Sequence, residues 1–222
     1  SEESVNRAYG GPPLKPGKRY HWQVRTWDDV GKPSEWSASA FWETGMMGAS
    51  QWSARWISPD VVEDSTRSNP SPLLRTDFAL DGTVASASVY VTALGLYEMQ
   101  INGKRVGDQV LAPGWTSYDK RLQYQTYDVT DLVRRGPNAV GVTLGDGWYR
   151  GRLAWETRRN LQGKQAALLA PIVVCYTNCR HQPTSPKEQL HAPTGPIHAS
   201  VISYAQSCDT RLDSPRSPAP RP

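Results

Sequence analysis

The chain has 222 residues, enough for one large domain or two small ones. Its 25 basic and 21 acidic side chains leave a net charge of +4, too weak a field to imply a nucleic-acid partner. No run of about 18 apolar residues occurs, which excludes a membrane-spanning helix as partner to a bilayer.

The N-terminus, Ser1 to Arg7, lacks the basic start and apolar core of a signal peptide, and because the first residue is not Met it reads as an internal start. Residues 1–17 are polar and end in a Gly- and Pro-rich loop. Tyr20, Trp22, Val24 and Thr26 then alternate with polar residues, which predicts a half-buried strand. A turn over Asp28 to Ser34 leads to a second strand over Ala40 to Gly45. Two strands alone are marginal in water, so residues 1–46 are expected to be the last strands of a larger β-domain. Trp52 and Trp56, in Gln51 to Ile57, are expected to open a second domain and pack on its edge.

Residues 59–72 are rich in Pro, Ser, Asp and Asn and predict a loop. Strands follow over Leu73 to Leu80, Val84 to Thr92 and Leu96 to Ile101, with Val89 and Val91 on one face. Asn102-Gly103 predicts a tight hairpin, since both residues tolerate positive φ. Further strands are expected over Tyr124 to Val129, Ala139 to Leu144 and Leu168 to Val174, with a helical turn near Asp128 to Val133. No long 3.6-residue period appears. The fold class is therefore all-β, a jelly-roll-type antiparallel β-sandwich over 51–174.

The composition changes after that point. All nine Trp lie at or before Trp155, the three Cys lie after it, and half of the eighteen Pro fall from Pro171 onward. Residues 175–222 are expected to form a disordered Pro-rich tail, because such a segment buries too little apolar surface to offset chain entropy. A shifted reading frame is one origin consistent with this change. Cys175, Cys179 and His181 do not have ordered zinc spacing, Cys208 lies far off in a Pro-rich segment, and the cysteines read as unstructured thiols. A β-body without Cys needs no disulfide, so a cytoplasmic and a secreted location both stay open.

Tyr20 to Asp28, Ser37 to Gly45, Trp52 to Ile57, Tyr97 to Asp108, Ala112 to Tyr118 and Gly145 to Gly151, in this order, resemble the N-terminal region of bacterial and fungal α-L-rhamnosidases. The resemblance covers residues 18–170. It implies a fibronectin type III-like domain, then a jelly-roll domain, then a helical toroid that carries the catalytic carboxylates of an inverting glycoside hydrolase. The chain stops before that toroid, so the fragment itself is expected not to hydrolyse glycosides. Its implied partners are a rhamnose-containing glycan and the catalytic domain. A standalone carbohydrate-binding module and a structural spacer docking on the toroid are the alternatives.

An inverting glycosidase needs two carboxyl groups spaced to admit water. Asp108, Asp119, Asp128, Asp131, Asp146 and Glu156 sit in no motif that forces such a pair, so no residue is assigned a catalytic role. Asp108, Asp128 and Asp131 read as turn or capping residues. The binding candidates lie in two loops. In Gly145 to Gly151, three glycines leave the backbone open, so Trp148 or Tyr149 could stack on a sugar while Asp146 and Arg150 bond its hydroxyls. In Pro113 to Tyr118, Trp115 and Tyr118 are equivalent candidates, and Asn102 is a third, with a hairpin role beside the ligand role. No cofactor is required. Calcium, which bridges rhamnose in some domains of this resemblance, has a starting ligand in Asp146 but needs several more oxygens. Arg158, Arg159 and Lys164 read as a solvated loop.

Overall fold

The computed structural model describes residues 8–60, 62–153, 158–178, 181–184, 196–202 and 205–209. The chain divides into two compact units, Ser1–Trp52 and Ser53–Pro222. In the first, β1 (Arg19–Trp22) pairs antiparallel with β2 (Ala40–Glu43), and the Tyr20 and Trp42 rings stack with centroids 4.9 Å apart. The expected strand to Thr26 is shorter than its alternation suggests. Beyond Trp22, the Val24 and Thr26 amides donate to the hydroxyls of Ser37 and Ser34, both at 3.0 Å, while the Ser37 and Ser34 amides donate to the Val24 and Thr26 carbonyls at 2.8 Å, so side-chain oxygens stand in for half of a regular ladder. The Arg25 guanidinium lies between Trp27 and Trp36, 4.9 and 4.7 Å from their centroids.

The second unit contains β3 (Leu73–Leu80), β4 (Val84–Leu94), β5 (Leu96–Ile101), β6 (Lys104–Arg105), β7 (Gln125–Asp128), β8 (Gly136–Gly145), the short helix α1 (Gly147–Arg150), β9 (Ala167–Leu169), β10 (Ile172–Tyr176), β11 (His181–Thr184), β12 (Ile197–Val201) and β13 (Ala205–Cys208). One sheet runs β3-β8-β5-β6; the other runs β11-β10-β4-β7, with β9 also on β4. All pairings are antiparallel. Register follows the alternation. Leu74, Val142 and Met99 form one cross-strand row, and Thr76, Val140 and Ile101 the next. Ala87, Val89, Val91 and Ala93 of β4 meet them from the other sheet, and all but Thr76 join one apolar core. Burying each such aliphatic side chain stabilises by about 1.5–3 kcal/mol. The expected all-β antiparallel sandwich is what these residues form.

Three details differ from the sequence reading. The expected strand Leu168 to Val174 is two strands, β9 and β10, in continuous register on β4. Pro171 has no amide to donate, so the ladder breaks there, and its carbonyl accepts from Tyr90 N at 3.0 Å. Ile57 exchanges backbone hydrogen bonds with Leu168, while Trp56 stays exposed. The expectation of disorder from residue 175 is corrected over β10 to Tyr176, β11, and the hairpin β12-β13. Short strands need few residues, and Ser71 N donates to Ile197 O at 2.9 Å, tying β12 to the chain just ahead of β3. Apart from Thr177, Asn178, Pro196, Ile202 and Asp209, the remainder of that tail lies outside the described residues. No helix among the described residues is long and apolar enough to cross a membrane.

Candidate functional site

β8 ends at Gly145 opposite Leu96 of β5, and the chain turns at once into α1. Gly147 has φ 53°, and a methyl there would sit 2.6 Å from Leu96 Cγ. This glycine therefore lets the turn close onto the end of β5. The sequence reading took it as opening the backbone to a ligand; the structure uses it for close packing instead.

That packing presses Asp146 and Arg150 inward, and both are 2% exposed. Asp146 Oδ1 accepts from Arg150 Nε at 2.6 Å, and its Oδ2 accepts from Ser68 Oγ and Arg159 Nη2, both at 2.8 Å. Arg150 Nη1 donates to Glu63 Oε2 and Nη2 to Glu63 Oε1 at 3.0 Å. Two guanidinium groups and two carboxylates thus form a neutral network, in which the buried Arg159 Nε alone has no hydrogen-bond partner among the described residues. Burial pulls the Arg150 pKa down, but the hydrogen bond to Glu63 and the charges of Asp146 and Glu63 outweigh it and hold the pKa above its ordinary value. The network ties the 63–68 loop to α1, reinforced by Asn160 Nδ2 donating to Ser65 O at 2.7 Å.

Two expectations are corrected here. Asp146 and Arg150 do not face a ligand, because their hydrogen-bonding groups are taken up inside. The Asp146 carboxylate, the starting ligand the sequence offered to calcium, is contacted by the guanidinium groups of Arg150 and Arg159. Arg159 is no solvated residue: its side chain is 8% exposed and paired to Asp146. Sequence reasoning missed Glu63, Ser68 and Arg159 as partners.

Asn102 is also a structural residue. It and Gly103 have φ 51° and 80°, the positive pair that a tight β5-β6 hairpin requires. Its Nδ2 donates to Leu132 O and Asn138 Oδ1, both at 2.8 Å, and its Oδ1 accepts from Ala139 N at 2.9 Å. No polar atom of the side chain is left for a sugar. Asp128 likewise accepts from Thr130 N at 3.0 Å and starts the helical turn.

The aromatic candidates do meet. The loop Leu111 to Tyr118 turns through a cis Ala112–Pro113 bond and is fixed from below: Tyr97 N donates to Ala112 O at 3.0 Å and Gln125 Nε2 to Pro113 O at 3.1 Å. It brings Trp115 against Trp148 of α1, with ring centroids 6.1 Å apart and planes within 5°. Tyr118 meets Tyr149 edge to face, with centroids 5.1 Å apart. Burial, then the neighbouring Tyr149, pushes the Tyr118 phenol pKa up, so it stays neutral. Tyr149 also lies against Gly163. Trp115 alone is largely open, at 59% exposed. Trp155 lies outside the described residues.

Two family models match the chain: the Rha78A-like N-terminal immunoglobulin domain over residues 1–48, and the α-L-rhamnosidase N-terminal domain over residues 82–217. The first places an immunoglobulin domain where the sequence predicted a fibronectin type III-like one; both are antiparallel sandwiches. The second extends through residues whose composition had suggested a shifted frame. An α-L-rhamnosidase from Formosa agariphila is 34% identical over 97% of this chain and 24% of its own length. The crystal structure of native α-L-rhamnosidase from Aspergillus terreus matches with a TM-score of 0.94 at 36% identity, covering 99% of this chain and 26% of that one. The Streptomyces avermitilis α-L-rhamnosidase complexed with L-rhamnose matches with a TM-score of 0.92 at 26% identity, over 99% of this chain and 37% of that one. The chain thus spans a quarter to two fifths of the length of these relatives.

Proposed function

Because the chain belongs to the α-L-rhamnosidase family, matching its N-terminal region, we propose that it is the accessory β-sandwich region of an enzyme that hydrolyses terminal non-reducing α-L-rhamnose from glycosides. The catalytic carboxylates of that reaction belong to a further domain, the partner of this region. One observation carries the assignment of a non-catalytic role. Both carboxylates at the candidate site, Asp146 and Glu63, are engaged by the same guanidinium, that of Arg150. An inverting mechanism needs one carboxyl group free to protonate the leaving oxygen and another free to activate water across a gap of about 6.5–9.5 Å. Carboxylates bridged by an Arg between them do neither.

The test is to incubate the purified chain with an aryl α-L-rhamnoside. No release of the aryl alcohol above the blank is expected, while the same assay on a protein that includes the catalytic domain gives turnover. Hydrolysis by the chain alone would overturn the reading. A second role, binding of a rhamnose-bearing glycan, is favoured by the meeting of Trp115 with Trp148.

A further inference from the structure

We propose that the outer face of Trp115 is a stacking platform for a terminal L-rhamnopyranosyl unit, held without a metal ion and without help from Asp146 or Arg150. The identity of the sugar rests on the family reading above; the location of the platform rests on geometry. A ring inserted between two aromatic planes needs two van der Waals contacts, about 7–8 Å in all. The Trp115 and Trp148 centroids are 6.1 Å apart with planes 5° from parallel, so nothing fits between them and they stack on each other. Trp148 therefore backs Trp115, and the surface left for a ligand is the opposite indole face, on a side chain 59% exposed.

The platform is already in place. Leu111 O accepts from Gly114 N at 3.1 Å, Gly114 O accepts from Tyr118 Oη at 3.3 Å, and Gln125 holds Pro113 O. A ligand arriving there has little loop ordering to overcome. The Glu63, Arg150, Asp146 and Arg159 groups pair with one another, so none of them presents an unpaired charge to a ligand; the indole face itself suits a neutral ligand with a flat apolar face. A 6-deoxyhexose meets both conditions, with its ring C–H groups and methyl carbon forming that face.

The experiment is calorimetric titration of the full chain with methyl α-L-rhamnoside, with and without EDTA, and with methyl α-D-glucoside as control. Saturable binding of the rhamnoside is expected, unchanged by EDTA. Trp115→Ala is expected to weaken it about tenfold, the scale of one lost aromatic contact, while the protein keeps a cooperative thermal transition. Trp115→Phe keeps a flat face and should restore most of the affinity. Absence of saturable binding overturns the proposal and leaves the accessory reading intact, since that reading stands or falls on the turnover assay. Binding that survives Trp115→Ala places the sugar elsewhere, and binding lost with EDTA makes it metal-dependent; either result overturns the proposal as well.

Discussion

Arg150 is the residue on which the end of the sandwich turns. Its side chain is 3% exposed and lies between Asp146 and Glu63. Removing the cation takes both Arg150 hydrogen bonds from Glu63 and leaves Asp146 with Ser68 and Arg159. Uncompensated buried charge costs about 3–5 kcal/mol, so Arg150→Met is expected to destabilise by about 3 kcal/mol in a urea titration. Asp146→Asn, which keeps shape and some hydrogen bonds, is expected to cost less. Little of this network was legible in the sequence. Arg150 and Glu63 lie 87 positions apart, and an ion pair between a loop and a helical turn leaves no periodic trace. Tyr97 offers a second test. Its hydroxyl donates to Gln125 Oε1 at 2.8 Å across the two sheets. Burial, then the Tyr127 hydroxyl, pushes its pKa up from the ordinary value of 10.0. The unfolded chain therefore loses this proton first. The contribution is complete below about pH 10 and declines as pH rises beyond it. Tm measured from pH 8 to 11 should fall above pH 10, and less steeply in Tyr97→Phe, which costs about 1 kcal/mol at neutral pH for the lost hydrogen bond.

At the scale of elements, alternation and turn chemistry carried most of the strand assignments. β3, β4, β5 and β8 each present one apolar and one polar or covered face, and a period of two encodes that directly. The β5-β6 hairpin was legible because Asn102-Gly103 is the pair that positive φ demands. Its energetic weight was not, since the three hydrogen bonds of Asn102 reach Leu132, Asn138 and Ala139 across other elements. Asn102→Ala is therefore expected to cost about 2–3 kcal/mol, from unsatisfied buried groups plus strain at the turn, where an exposed hairpin residue would cost a few tenths. The strands after Tyr176 were hidden for a different reason. Pro and Ser dominate the average composition there, while β12 and β13 need only five and four residues to pair. The aromatic loops were legible as to residue type but not as to role: of the flagged side chains, Trp115 alone keeps most of its surface in solvent.

At the scale of the whole molecule, the two units have unequal means of standing alone. The Ser53–Pro222 unit holds two sheets joined by one apolar core, and each sheet covers the other's inner face. The Ser1–Trp52 unit, among its described residues, has one two-stranded sheet, and Trp22, Trp27, Trp36 and Phe41 each keep about half their surface in solvent. A lone pair of strands is marginal in water, and the Tyr20–Trp42 stack and the Arg25 contacts add only about 0.5–1.5 kcal/mol each. Residues 53–222 expressed alone are therefore expected to keep a cooperative thermal transition and the near-ultraviolet circular dichroism of packed Trp115, Trp148 and Tyr97. Residues 1–52 expressed alone are expected to show neither. The platform at Trp115 is built wholly from residues of the larger unit, so the trimmed protein should bind the rhamnoside as the full chain does. If the larger unit melted without cooperativity once residues 1–52 were removed, the inter-sheet core described here would not be enough to hold the site in place.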